Sequence, residues 1–211
     1  ALMQARLDLY MSTDHGDICP ETAETLAMMR EQTERLSRMV RTLLDMSELK
    51  TVPRTDRIQI APMIEEVLAD LSPLAEKSGV TLAQSGGDLW ITGSDVLVYR
   101  AIFNLVENGV KYNCPGGSVC VAVSRRGEEA VIEVKDTGCG IPENFRKSVF
   151  QPFFRVDKSR SREKGGVGLG LSLVWEIAHL HGGDVRVRES GESGTVIELT
   201  LPVSAEERGM P

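Results

Sequence analysis

Three side chains on one predicted helix have the types and the spacing to hold a metal ion together with a phosphate group. Asn104, Asn108 and Lys111 occupy positions i, i+4 and i+7, which places them on one helical face. Asparagine and the adjacent Gly109 are weak helix formers, so helix propensity does not account for their presence. Amide oxygens can ligate a hard cation such as magnesium, and lysine can contact phosphate. The alternative is a solvated polar face.

A second candidate follows a predicted apolar strand, where residues 136–141 read DTGCGI. Asp136 would stand at the strand end and could accept a hydrogen bond from an exocyclic amine such as that of adenine, because a carboxylate only accepts. Gly138 and Gly140 would let the backbone approach such a ligand closely. The alternative is a simple turn, in which aspartate and glycine are also common.

A third candidate is the glycine-rich segment 165–170, GGVGLG, which opens a later predicted helix. The N–H groups and the dipole at a helix start favour an anion. Residues 155–164, just before it, carry five basic side chains against two acidic ones. These charges suit a mobile cover over a polyphosphate, and a solvated, disordered loop is the alternative. Phe150, Phe153 and Phe154 beside it are either core residues or anchors that dock the cover onto the neighbouring helical stem.

The elements that must position these groups alternate between strands and helices. Helices are predicted at residues 62–78, 94–112 and 169–180, and strands at 58–60, 80–84, 89–92, 118–124, 130–135, 184–188 and 195–201. The hairpins imply antiparallel pairing on one side of a sheet, with helices covering the other side. The predicted class is therefore α+β, a two-layer α/β sandwich.

The N-terminal part of the chain has a different pattern. Helices are predicted at residues 1–12 and 21–50, separated by a breaker cluster. The longer helix carries apolar residues at steps of mostly three and four: Leu26, Met29, Leu36, Val40, Leu43 and Met46. Such a stripe has to be covered, so we expect a helical-hairpin stem that dimerises; folding back onto its own domain is the alternative. The predicted division is a stem at 1–52 and a catalytic domain at 53–211.

Composition excludes some classes of function. The 211 residues carry 24 basic and 31 acidic side chains, a net charge of −7, which argues against general nucleic-acid binding. The four cysteines form no close pair and are expected to be free thiols. No apolar run approaches the roughly 20 residues that cross a bilayer, so we expect no membrane contact from these residues.

In their order along the chain, these motifs resemble the asparagine box, first glycine box, phenylalanine box and second glycine box of bacterial two-component sensor histidine kinases. The resemblance covers about residues 20 to 202, and residues 154–171 and 180–183 are its most specific parts. These kinases belong to an ATPase superfamily that includes DNA gyrase, mismatch-repair ATPases and heat-shock chaperones. The resemblance implies the Bergerat-type ATP-binding fold, with a mixed sheet covered by helices.

The resemblance also implies roles for individual residues. Asn108 should ligate magnesium with help from Asn104, Lys111 should contact the phosphates, Tyr112 the adenine ring, and Asp136 the adenine amine. The glycines of the first box, with Ile141, should shape the adenine pocket. The remaining implied nucleotide contacts are Arg155, Lys158, Gly166, Gly168, Leu169 and Gly170.

The implied activity is transfer of the γ-phosphoryl group of ATP to a histidine on the first stem helix, for relay to a response regulator. No acceptor motif is present in the chain, which looks truncated just after it, so we expect ATP binding without autophosphorylation. His15 lies in a Gly/Asp turn, in the wrong context for the acceptor. We expect a cytoplasmic domain of a membrane-anchored parent that is a homodimer through its stem.

Two further expectations concern differences between this chain and the family pattern, and functions that are alternatives to kinase activity. His179 and His181 would lie at a helix end, where the helix dipole favours cations and accounts for their presence. Where hydrolysing relatives carry a water-activating glutamate, this chain has Asn104, which favours transfer over hydrolysis. The rival functions are a nucleotide-gated switch without kinase activity, an ATP-hydrolysing machine, and a parent that acts mainly as a phosphatase of its regulator.

Overall fold

The structure is a computed structural model that describes residues 19–156 and 168–204. The chain divides into two compact units, Ala1–Ser47 and Glu48–Pro211. The helix predicted at residues 1–12 lies outside the described residues, and so do His15, Lys158 and Gly166. The hairpin form of the stem therefore stays a prediction. Among the helices of the described ranges, none is long and apolar enough to cross a membrane.

The first long helix, α1, spans Pro20–Glu48, close to the predicted 21–50. Five of its apolar side chains form a stripe that is exposed to solvent. The stripe consists of Met28, Met29, Leu36, Val40 and Leu44, each between 55% and 60% exposed. A helix with such a face gains most of its stability from packing rather than from propensity, which is why dimerisation remains our proposal for it.

The second unit contains three longer helices and seven strands among its described residues. The helices are α2 (Ile60–Ser78), α3 (Asp95–Lys111) and α4 (Gly170–Leu180), and the strands are β1 (Asp56–Gln59), β2 (Thr81–Gly86), β3 (Trp90–Gly93), β4 (Ser118–Arg126), β5 (Glu129–Asp136), β6 (Asp184–Gly191) and β7 (Gly194–Pro202). Short 3₁₀ turns lie at Leu49–Thr51, Glu143–Phe145 and Ser148–Phe150. Every element predicted in this unit is present, with shifted ends.

Five strands form one mixed sheet in the order β2-β4-β5-β7-β6. The β2 and β4 strands pair in parallel, whereas the other neighbours are antiparallel. A separate two-stranded sheet pairs β1 with β3. The expected two-layer sandwich with a mixed sheet is confirmed. The small second sheet was not predicted, because its strands have only four residues each and lie far apart in sequence.

One face of the large sheet is the core. Val119, Val121 and Val123 on β4 are at most 2% exposed, and Cys120 and Ala122 between them are partly exposed. This period of two is that of a strand with one covered face. A Cβ atom placed on Gly109 would lie 3.1 Å from a methyl group of Val119. The α3 helix therefore packs tightly on β4 beside the asparagine face.

The start of α2 shows why one boundary was wrong. The helix begins at Ile60 rather than at residue 62, and the Ala61 N–H donates to Oδ1 of Asp88 at 3.1 Å. The unpaired N–H groups of a first helical turn need acceptors. Here the acceptor comes from a residue distant in sequence, so no local capping signal marks the start.

The opposite face of the sheet holds a buried carboxylate. Glu198 on β7 is 2% exposed, and Arg126 binds it through both Nη atoms at 3.1 and 3.2 Å. Arg186 lies 2.7 Å from it. Burial would raise the pKa of Glu198, but the hydrogen bonds and charges of the two arginines outweigh burial, and its pKa falls below its ordinary value.

Candidate functional site

The α3 helix presents the predicted amide face. Ser94 caps the helix start, since its hydroxyl accepts from the Leu97 N–H at 3.5 Å. Asn104 and Asn108 lie one turn apart and are both partly exposed. The amide nitrogen of Asn104 donates to the carbonyl of Arg100 at 2.7 Å, which fixes the orientation of the side chain. Its amide oxygen consequently points away from that carbonyl.

The start of α4 lies directly against this face. A Cβ atom placed on Gly170, the first residue of α4, would be 2.8 Å from Asn104 Oδ1 and 3.6 Å from Asn108 Nδ2. The helix can approach this closely only because residue 170 has no side chain. The structure therefore brings the asparagine motif and the second glycine motif together, although 62 residues separate Asn108 from Gly170.

The segment before α4 is anchored to the aromatic motif. Gly168 has φ of +79°, and a Cβ atom there would lie 2.8 Å from the Phe154 carbonyl oxygen. The Phe153 N–H donates to the Gly168 carbonyl at 2.8 Å. Arg155 lies beside the same glycine, with its Cγ 3.2 Å from that Cβ position. Leu169 is buried at 2% exposure, so its side chain anchors the segment and only its backbone can face a ligand.

Asp136 stands at the end of β5 with one carboxylate oxygen fixed. Oδ1 accepts from the Gly138 N–H at 2.8 Å and from the Thr195 N–H at 3.3 Å. Among the described residues, both recorded donors reach Oδ1 and none reaches Oδ2. Burial raises the pKa of Asp136, and the two backbone hydrogen bonds oppose that rise. The second oxygen is thus oriented and available to a donor such as an amine.

The glycines of the first motif are required by neighbouring backbone. A Cβ atom on Gly138 would collide with the Tyr112 carbonyl oxygen, and one on Gly140 would collide with that of Gly191. Gly140 also has φ of +71°, which favours glycine. Tyr112 itself is 36% exposed at the end of α3. The loop is therefore held against both α3 and the β6–β7 hairpin, which leaves Asp136 beside the exposed tyrosine.

The sequence did not predict that the β6–β7 hairpin packs against the loop after β5 and forms one side of the candidate site. Residues 189–194 fall between the two predicted strands 184–188 and 195–201, whereas in the structure Ser190 Oγ accepts from the Ile141 N–H at 2.6 Å and lies 2.9 Å from Thr195 Oγ1. Ile141 is therefore tied to the hairpin through its backbone. A Gly-Thr pair that opens a strand after a turn was the available signal, but it is too common to stand out.

Glu107 is a second residue that the sequence did not bring forward. Its Oε1 lies 2.7 Å from Lys111 Nζ, and the two side chains are 28% and 29% exposed. The predicted lysine is thus in place on the amide face, paired with a carboxylate one helical turn before it.

The phenylalanines divide between packing and exposure. The rings of Phe145 and Phe154 contact each other with centroids 5.5 Å apart. Phe153 is 48% exposed and has φ of +63°, a left-handed conformation that costs energy for a bulky residue. Phe154 is thus a packing residue, whereas Phe153 is exposed and its anchoring role stays a prediction.

The helix dipole does not account for His181, because its ring is neutral. Its Nδ1 lies 2.8 Å from the Ile177 carbonyl, which can only accept, so Nδ1 carries the proton. Nε2 accepts from the Ser94 N–H at 3.0 Å and is therefore unprotonated. Burial lowers the pKa of His181, and the charge of Arg54 lowers it further. The neutral ring ties the end of α4 to the start of α3.

The donor set of the site fits a cation that arrives with its phosphates. No cluster of histidine, cysteine, aspartate or glutamate residues able to hold a metal occurs in the described ranges. The amide oxygens of Asn104 and Asn108 suit magnesium, which needs few protein ligands when phosphate oxygens supply others. The residues present therefore fit a magnesium–polyphosphate group better than a bare ion.

Sequence and structure comparisons identify proteins that are similar to this chain. Residues 93–205 match the family described as histidine kinase-, DNA gyrase B-, and HSP90-like ATPase. The sensor-like histidine kinase SenX3 of Mycolicibacterium smegmatis is 31% identical over 198 residues, covering 92% of this chain and 51% of that protein. Sensor histidine kinase RppB of Synechocystis is 29% identical over 189 residues, 87% of this chain and 42% of that protein. The chain thus spans about half the length of these curated relatives.

Solved structures show the same fold. The mycobacterial sensor histidine kinase MprB superposes with a TM-score of 0.62 at 27% identity, over 71% of this chain and 97% of that one. Full-length ShkA in complex with AMPPNP gives 0.70 at 21% identity, over 90% and 41%. Histidine kinase ThkA in complex with the response regulator TrrA gives 0.72 at 20% identity, over 98% and 58%.

The mixed sheet covered by helices is the fold of an ATP-binding domain of this ATPase family. The chain belongs to the histidine kinase-, DNA gyrase B- and HSP90-like ATPase family, because more than half of it matches that family. Within the family its relatives are sensor histidine kinases, so the resemblance drawn from the motifs is confirmed.

Proposed function

We propose that this chain binds magnesium-chelated ATP between α3, the loop after β5 and the start of α4. The observation that carries the proposal is the contact of Gly170 with the Asn104 amide, which joins a cation-binding face to a helix N-terminus. A helix N-terminus favours phosphate, and the amides favour the cation that accompanies it. The complex of ShkA with the nucleotide analogue AMPPNP supports this reading.

Each group has a distinct part in the proposed binding. Asn108, assisted by Asn104, holds magnesium, which neutralises charge on the phosphates. Lys111 contacts the phosphates directly, and Tyr112 packs on the adenine ring. Asp136 accepts the adenine amine through Oδ2, since its Oδ1 is held by two backbone donors.

Further residues shape the rest of the proposed pocket. Gly138, Gly140 and Ile141 form the adenine wall through their backbones, as their contacts with α3 and the β6–β7 hairpin suggest. Gly168 and Gly170 offer backbone donors to the phosphates and Leu169 anchors them, while Arg155 supplies charge beside Gly168. Lys158 and Gly166 lie outside the described residues, so the sequence alone supports their proposed contacts with the phosphates.

We further propose transfer of the γ-phosphoryl group to a histidine on a stem helix, followed by relay to a response regulator. Phosphoryl transfer depends mainly on positioning and charge neutralisation, and a neutral imidazole is itself the nucleophile. Asn104 cannot act as the general base for water, which favours transfer over hydrolysis. The complex of ThkA with TrrA supports the choice of partner. In this proposal the parent protein forms a homodimer through its stem helices. It is anchored in a membrane, and the present chain is part of its cytoplasmic region.

Calorimetric titration with ATP and magnesium tests the binding step. We expect saturable binding for the chain, and a loss of at least about tenfold in affinity for Asn108→Ala and for Asp136→Asn, since each removes a charged or metal-linked contact. Gln32→Ala on the exposed surface of α1 and Asp184→Asn at the start of β6 are matched controls that should bind normally. If no heat appears and Asp136→Asn changes nothing, the proposal is wrong.

Radiolabelled ATP tests the transfer step. The 211 residues alone should remain unlabelled, because no histidine in them has the acceptor context. A longer protein with the complete stem should become labelled on histidine and pass the label to a response regulator. Stoichiometric labelling of the 211 residues, or steady hydrolysis that Asn104→Ala abolishes, would contradict the proposal.

A further inference from the structure

A carboxylate lies within the proposed cation and phosphate site. Glu107 is three residues after Asn104 and four before Lys111, so it neighbours both on the surface of α3. Its Oε1 contacts Lys111 Nζ at 2.7 Å. The glutamate is N-terminal to the lysine at i, i+4, which is the favourable orientation for such a pair. Both side chains are less than a third exposed, so solvent screens the pair only partly.

This pair changes the charge that a ligand meets. The ammonium of Lys111 attracts phosphate, whereas the adjacent carboxylate repels it, and together they add no net charge to α3. The amide groups of Asn104 and Asn108 are neutral as well. A polyphosphate that approaches α3 without a cation therefore gains little from this face, and its charge is opposed by Glu107.

We propose that Glu107 is a specificity-determining residue that makes the site select magnesium-chelated nucleotide over free nucleotide. The inference rests on the proposed function, because it assumes that the phosphates lie on this face of α3. Chelated ATP carries two fewer negative charges than free ATP, so repulsion by the carboxylate weakens the free form more. If the two extra negative charges of free ATP lie roughly 8 Å from the Glu107 carboxylate in water, their repulsion corresponds to about a fivefold difference in affinity at low ionic strength.

Glu107→Gln is the direct test, because glutamine keeps an oxygen that can accept from Lys111 while it removes the charge. Dissociation constants would be measured by calorimetry for ATP with excess magnesium and for ATP with EDTA. We expect the variant to bind free ATP more tightly, so that the preference for chelated ATP falls by about fivefold at low ionic strength and by less as salt is added. Glu107→Ala should reduce the preference in the same way.

The control is Glu65→Gln, which removes an exposed glutamate charge from α2 and should leave the preference unchanged. Thermal melts would show that each variant is folded. Equal changes for the two ATP forms, or no change, would overturn the inference and leave Glu107 as a helix-stabilising residue. Weaker binding of chelated ATP without a gain for free ATP would also overturn it. If the unmodified chain binds neither form, the proposed function fails instead.

Discussion

Substitution of Gly170 by alanine separates folding from binding in this site. The new Cβ atom would lie 2.8 Å from Asn104 Oδ1, which is closer than a carbon and an oxygen can remain. That oxygen is the end of a side chain, so Asn104 can turn away without moving the backbone. The turn removes its hydrogen bond to the Arg100 carbonyl, at a cost of about 1 kcal/mol. Alanine returns roughly 0.4 to 1 kcal/mol relative to glycine, because it restricts the unfolded chain at a position whose φ it can adopt.

The expected stability of Gly170→Ala therefore differs from that of the original chain by less than about 1 kcal/mol. Its affinity for magnesium-chelated ATP should fall by about tenfold to a hundredfold, since a displaced contact to a charged group is worth about 1.5 to 3 kcal/mol. Urea unfolding measures the first quantity and calorimetry the second. Gly87→Ala is the control, because a Cβ atom there meets no atom within 4 Å.

The result that refutes this reasoning is a variant with normal affinity. Normal affinity would mean that the Asn104 amide and the start of α4 do not meet the ligand together. A variant that loses affinity because it has also lost stability would contradict the reasoning as well. In that case the substitution would have displaced the backbone rather than the Asn104 side chain.

Three further predictions concern stability. Gly138→Ala should lose about 2 kcal/mol in urea unfolding, since its Cβ would collide with backbone at Tyr112, and an unchanged value would contradict the close approach. The pKa of Glu198 is lowered in the folded state, so its contribution to the free energy of unfolding is present above its unfolded pKa and is lost as pH falls through the folded value. Glu198→Gln should therefore make the free energy of unfolding depend less on pH in this acid range. The same pH dependence in the variant and in the original chain would contradict the arginine contacts. His181 is partly buried and neutral, and its pKa is lowered, so the free energy of unfolding should fall as pH drops below about 6.5. His181→Gln should remove this pH-dependent part, and its persistence in the variant would assign it to another group.

Local patterns predicted the elements of this fold well because their physical causes are local. The spacing of Asn104, Asn108 and Lys111 follows from helix geometry, and the alternation in β4 follows from one covered face. The order of the motifs along the chain then identified the family. Boundaries were less accurate where the capping group comes from elsewhere, as with Asp88 at the start of α2.

Contacts between distant segments could not be predicted in this way. Nothing near Gly170 in the sequence indicates that Asn104 is the side chain it contacts. Thr195 donates to Asp136 through its backbone, a group that every residue except proline possesses. The helix dipole accounts for His181 only when its own helix is considered alone, whereas the N–H of Ser94 on another element determines its protonation.

The hydrogen bond between Phe153 and Gly168 has a consequence for how the chain can vary. It joins the two ends of the intervening stretch at a fixed junction, independently of what the stretch contains. The entropy of closing such a loop grows only logarithmically, by about 0.6 kcal/mol for each doubling of its length. A change of length between these two residues should therefore cost little folding free energy, whereas one that removes Arg155, Lys158 or Gly166 should weaken the proposed nucleotide binding.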